Sequence, residues 1–155
     1  MSLQQDVDLL RNIPLFSKIE PSKLKLLAFT AERLTFNVGD VLCHQGDEGD
    51  SAYIIIAGEA DVLVDTDSGQ VTVATLKTND FVGETAILCD VPRTATVKAK
   101  SDVETLMISK DLFFQLVCQF PSMSIEIMRE LARRVERTTA QLREAVSQRP
   151  VEPRN

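Results

Sequence analysis

Between Leu34 and Ser109, apolar and polar positions alternate with a period near two; on either side of that span the period lengthens to three or four. The short-period runs LTFNV, VLCHQ, AYIIIAG, EADVLVDT, QVTVATL, TATVKA and VETLMIS predict strands. Gly-Asp, Gly-Asp-Glu-Gly-Asp, Gly-Glu and Asp-Ser-Gly clusters separate them. These residues favour turns because they tolerate left-handed backbone or bond to it. Many short strands with regular turns suggest a sandwich or a jelly-roll barrel. GETAIL, residues 83–88, interrupts the alternation as one helical turn.

The flanks read as helices. Leu3, Val7 and Leu10 predict a short helix over 2–10, and Pro14 sets a turn after it. Pro21 opens a second helix with Leu24, Leu27 and Ala28 on its inner stripe. Lys110 to Gln119 predicts a third, with Leu112, Phe113, Leu116 and Val117 apolar. Pro121 starts a longer one that runs to about Ser147, and Pro150 and Pro153 mark a short tail. In the long helix Met128, Leu131, Val135, Thr138, Leu142 and Ala145 are spaced 3, 4, 3, 4, 3. That seam either packs on the helix's own domain or pairs two chains.

At 155 residues with 44% apolar content, one domain with a proper core is expected. The net charge is −6, and residues 1–120 hold 10 Lys+Arg against 18 Asp+Glu. An acidic body disfavours nonspecific contact with DNA or anionic lipid. The longest apolar run, YIIIA at 53–57, is far too short to span a membrane. No basic region followed by an apolar core is visible at the start, so no secretory signal is expected. Cys43, Cys89 and Cys118 lack metal-ligand spacing, and reduced thiols in a cytoplasmic protein follow. They read as small buried or half-buried residues, with Cys89 the candidate for redox sensitivity. His44 is the only histidine and reads as a strand-turn residue, so no metal site is expected.

The densest chemistry lies in FVGETAILCDVPRTATVK, Phe81 to Lys98. Gly83 lets backbone approach a ligand closely. Glu84 is either a turn carboxylate or an acceptor for sugar hydroxyls. Arg93 is either a surface ion-pair residue or a phosphate fork, and it is one of few cations in the strand region. Thr94 is a strand residue or a second hydroxyl contact.

This stretch resembles the phosphate-binding cassette of the cyclic nucleotide-binding domain family. FNVGDVLCHQGDEGDSAYIIIAGEADV, with Gly39, Gly46, Gly49 and Gly58, resembles that family's glycine-punctuated strands. The likeness covers roughly residues 10 to 145 and includes the catabolite activator and protein kinase A regulatory branches. It implies an α+β fold: a double-stranded β-helix (jelly-roll) barrel flanked by N-terminal helices and a long C-terminal helix. The implied division is an N-terminal helical segment at 1–30, a ligand-binding barrel at 31–109 with its cassette at 81–98, C-terminal helices at 110–148 and a tail at 149–155.

The resemblance also implies the ligand, cyclic AMP or cyclic GMP, bound without metal. It places Gly83, Glu84, Thr85, Ala86, Arg93, Thr94 and Ala95 around phosphate and ribose. Thr85 departs from the family's usual aliphatic residue. Thr138 and Thr139 fall where hydroxyls meet the base, one from each of two paired subunits. A threonine after the arginine goes with tolerance of cyclic GMP, and the Thr138 register favours cyclic AMP. The implied function is a non-enzymatic sensor whose C-terminal helix moves on binding, as a homodimer, with no direct DNA or membrane contact. The alternative is the sensor part of a catabolite activator-type transcription regulator. Its reader would have to lie beyond this chain, since only eight residues follow Ser147.

Overall fold

The computed structural model describes residues 3–13, 16–17 and 19–147. Pro14, Pro150, Pro153 and the 149–155 tail lie outside the described residues. In chain order the elements are α1 (Leu3–Arg11), α2 (Pro21–Thr30), β1 (Glu32–Phe36), β2 (Val41–Cys43), β3 (Ser51–Ala57), β4 (Ala60–Thr66), β5 (Gly69–Leu76), β6 (Phe81–Val82), α3 (Glu84–Cys89), β7 (Thr96–Ala99), β8 (Val103–Ser109), α4 (Lys110–Gln119) and α5 (Pro121–Ser147).

The fold is mixed helix and antiparallel sheet. One four-stranded sheet runs β1-β8-β3-β6 and the other β2-β7-β4-β5. They do not close into the jelly-roll barrel that the resemblance implied. No ladder joins them among the described residues, and β6 and β2, with two and three residues, are too short to bridge the gap. Each sheet therefore keeps two edges. β5 is the longest of them: GQVTVATL carries no charge, and Val71 and Val73 are exposed.

Side-chain alternation on β3 explains how both sheets are held. Ile54 and Ile56 join a core with Phe81, Leu106, Ile108, Phe113 and the apolar stripes of α1 and α2. Ile55 points the other way, onto Leu42, Ala60, Val97 and Ala99 of the second sheet. The strand is thus apolar on both faces and buried from Ser51 to Ile56.

The last two helices differ in how they are anchored. Phe113 and Leu116 sink α4 into the core, and Ser109 caps it by accepting from the Leu112 N–H at 3.2 Å. Only Met123 and Ile127 of α5 are buried, with Leu131 half-buried against the same core. Beyond Leu131 the helix leaves the core, and Val135, Leu142 and Val146 are exposed. Of the seam, Leu131 packs on its own domain, while Met128, Val135 and Leu142 are exposed.

Candidate functional site

β6 delivers the chain to Gly83 at φ 97°, a left-handed conformation that glycine adopts without strain. A side chain there would also collide: a Cβ would stand 2.5 Å from Arg93 Nη1 and 3.0 Å from the Ser51 carbonyl oxygen. α3 then begins with Glu84. Gly49 makes the opposite wall close, since a Cβ on it would lie 2.1 Å from Ala86 Cβ. Arg93 is fixed by its backbone on both sides. Its N–H donates to the Asp47 carbonyl and its carbonyl accepts from the Gly46 N–H, each at 2.8 Å. The glycine-rich turn after β2 thus holds the arginine in place.

Both charged groups are buried, Glu84 at 3% exposure and Arg93 at 6%. Arg93 Nη2 donates to the Ser51 carbonyl at 2.6 Å, and the guanidinium lies 5.9 Å from the Tyr53 ring centre. Its Nη1 has no hydrogen-bond partner. Glu84 Oε1 accepts from Arg134 of α5, whose other terminal nitrogen donates to the Phe81 carbonyl at 2.6 Å. Glu84 Oε2 has no partner. A buried donor and a buried acceptor without partners are costly in a folded protein.

Burial pushes the Glu84 carboxyl above the ordinary carboxylate range, and Arg134 pulls it back only in part. A carboxyl raised by folding contributes stability below its unfolded pKa and loses it as pH rises through the folded one. Ligand-free Glu84→Gln has no such titration. Thermal melts between about pH 4 and 8 should therefore show the wild type losing ground to Glu84→Gln as pH rises. A constant gap across that range would mean that the carboxyl is not raised.

These groups open on one cavity of about 600 Å³, within the usual range for small-molecule sites. It brings together Gly83, Glu84, Thr85, Ala86, Arg93, Thr94, Ala95 and Thr138. Thr139 is not among them: it lies on a smaller recess of about 340 Å³ with Leu131 and Val135. Val62, Val73, Leu76 and Val97 form an apolar wall, while α5 presents Glu130, Arg134, Arg137 and Gln141. Thr138 Oγ1 donates to the Arg134 carbonyl at 2.8 Å, so only its lone pairs remain to offer.

Sequence reasoning missed Arg134, Ser51 and the cavity role of Cys43. The available signal for Arg134 was its place one helical turn before Thr138. It also placed two of the three cysteines too deep. Cys43 is half-buried, but Cys89 and Cys118 are exposed, because each falls on the outer face of its helix. His44 is exposed in the turn after β2. No group of three or more metal-ligating side chains occurs among the described residues.

A family model for the cyclic nucleotide-binding domain matches residues 33–119. The cAMP-dependent protein kinase regulatory subunit of Hypocrea atroviridis is 36% identical over 108 residues, 70% of this chain; the match spans 22% of that relative's length. The catabolite activator protein of Thermus thermophilus superposes with a TM-score of 0.78 at 25% identity, covering 86% of this chain and 63% of that one. A triple variant of the regulatory subunit of a cAMP-independent protein kinase A from Trypanosoma brucei, bound to cAMP, gives 0.76 at 26% identity, covering 90% and 51%.

Proposed function

We propose, from the premise that this chain belongs to the cyclic nucleotide-binding domain family, that it is a cytoplasmic sensor that binds cyclic AMP in preference to cyclic GMP, without catalysis. One observation carries the reading: Arg93 and Glu84 each keep one buried polar atom without a partner, and both line the same cavity. A cyclic phosphate supplies acceptors for Arg93 Nη1, and a ribose 2′-hydroxyl supplies a donor for Glu84 Oε2. The cAMP-bound trypanosomal variant has an alanine and, seven positions on, an arginine introduced by substitution. This chain has Ala86 and Arg93 at that separation.

Thr138 supports the choice of base. With its hydrogen given to the Arg134 carbonyl, its oxygen can only accept. The adenine amino group donates; the guanine edge offers a carbonyl there instead. Thr94 and Ala95 complete the phosphate end, while Thr139 serves a second copy's ligand in a homodimer formed through α5.

α5 is the output. Arg134 ties it to Glu84 and to the Phe81 carbonyl, so ligand contact at the cassette bears on the helix. Such coupling is only as large as the ligand's preference between two helix positions. The domain division at 30/31, 109/110 and 148/149 and the jelly-roll arrangement are part of the same reading. The sensor part of a catabolite activator-type regulator is the second reading, favoured by the match that leaves over a third of the Thermus protein uncovered.

Calorimetric titration tests this. Cyclic AMP should bind more tightly than cyclic GMP, and Thr138→Ala should narrow the difference. The 2′-deoxy analogue should bind about 10- to 150-fold more weakly, the worth of one hydrogen bond to a charged group. Absence of binding by both nucleotides would overturn the proposal, and equal binding of the deoxy analogue would give Glu84 another role.

A further inference from the structure

Cys43 closes β2 at the wall of the cavity, half-buried, with the Val97 backbone beside its thiol and Arg93 close enough to act on it electrostatically. Cys89 and Cys118 are exposed and do not line the cavity. Of the three sulfurs, Cys43 is the one that lines the cavity.

The same cavity contains two buried polar atoms without partners, Arg93 Nη1 and Glu84 Oε2. Its cations are not equivalent. Arg134 is paired with Glu84, and Arg137 stands 3.6 Å from Glu130. Arg93 alone has no carboxylate among the described residues. A small ligand with a carboxylate thus finds in Arg93 a cation without a carboxylate partner, in the cavity that Cys43 also lines.

We propose that Cys43 is a modification site: a small anionic disulfide of the glutathione class enters the cavity, sets a carboxylate on Arg93 and thiolates Cys43, closing the cavity to nucleotide. The consequence for nucleotide rests on the function proposed above. The Cys43 thiolate attacks one sulfur of the disulfide. A new S–S bond forms as the old one breaks, and the electron pair leaves with the second glutathione as thiolate, which takes up the proton that Cys43 released. Cys43 is oxidised, the departing half is reduced, and a thiol reductant reverses the step. Burial pushes the Cys43 thiol up, so free collision is slow and retention of the reagent in the cavity matters.

The test uses the whole chain, oxidised glutathione as probe, and peptide mapping by mass spectrometry, with Cys89 and Cys118 as internal references. Without nucleotide, Cys43 should prefer oxidised glutathione over cationic cystamine by about tenfold relative to Cys89, and Arg93→Met should abolish that preference. Cyclic AMP at about 100 times its Kd should slow thiolation of Cys43 about 100-fold and leave Cys89 and Cys118 unchanged. Thiolated protein should bind cyclic AMP at least about tenfold more weakly, with recovery on reduction, while Cys43→Ser treated alike keeps its affinity. Unchanged affinity after thiolation, equal rates with and without nucleotide, or a Cys43 still free when Cys89 is fully modified would each overturn the proposal. If the untreated protein binds neither nucleotide, the function above fails instead. The charge preference, which needs no nucleotide, then still decides whether Arg93 guides an anionic disulfide to Cys43.

Discussion

Arg93→Met should weaken binding of cyclic AMP by about 10- to 150-fold and leave the ligand-free protein at least as stable as the wild type. The first effect follows from one lost bond to a charged group, worth about 1.5–3 kcal/mol, at 1.36 kcal/mol per tenfold. The second follows from the site itself. A guanidinium at 6% exposure, with one nitrogen unpartnered and no carboxylate beside it, opposes folding until an anion arrives. Methionine fills similar space without that charge, and the Ser51 carbonyl loses its donor, a loss of about 1 kcal/mol. Titration and thermal melts of the same preparations check both halves. Unchanged affinity would remove the phosphate from Arg93. A fall of several degrees in melting temperature would show that the bonds to Ser51 outweigh the buried charge.

The double substitution Val135→Asp with Leu142→Asp should turn the proposed homodimer into a monomer. Met128, Val135 and Leu142 are 60%, 65% and 63% exposed on the single chain and stand seven residues apart on α5. A second copy of this row, related by a two-fold axis, would cover them. Burying two unpaired carboxylates in such a seam costs several kcal/mol, enough to raise the dissociation constant more than about 100-fold. Leu131 is a less clean residue for this test, because it is half-buried against its own core and a charge there would also destabilise the domain. Sedimentation at about 50 µM, with and without nucleotide, measures the state. An unmutated protein that sediments as a monomer in both conditions would end the dimer proposal.

The parts of the fold legible in the sequence are those with a local cause. α4 and α5 start where expected because Ser109 caps the one and Pro121 opens the other. The strands are legible because their β-branched residues lie between turn residues, although β3 is buried on both faces and β5 is largely exposed. β6 escaped notice, since two residues carry no period. The gap between the sheets also escaped, because it depends on pairing across the molecule.

The site divides in the same way. Gly83, Glu84 and Arg93 stand within one short segment, and the chain's turns bring them together. Arg134 is fifty residues from the Glu84 that it pairs with, and Arg133 beside it looks identical in sequence. Only the direction in which α5 crosses the cassette separates them: Arg133 turns to Glu130 on the surface, Arg134 to the buried carboxylate.

The free side of β5 bears on how the protein behaves in bulk. Proteins usually protect a long edge strand with lysine, proline or a covering element. GQVTVATL contains no lysine and no proline, so repulsion between whole molecules is left to keep such edges apart. That repulsion comes from the acidic body, and it vanishes near the isoelectric point of about 4.8. Mild acid therefore removes the colloidal barrier while β5 still offers unpaired N–H and C=O groups along its length. Concentrated stocks will be clearest well above that pH, and turbidity on acidification will begin with strand-to-strand association before the domain unfolds.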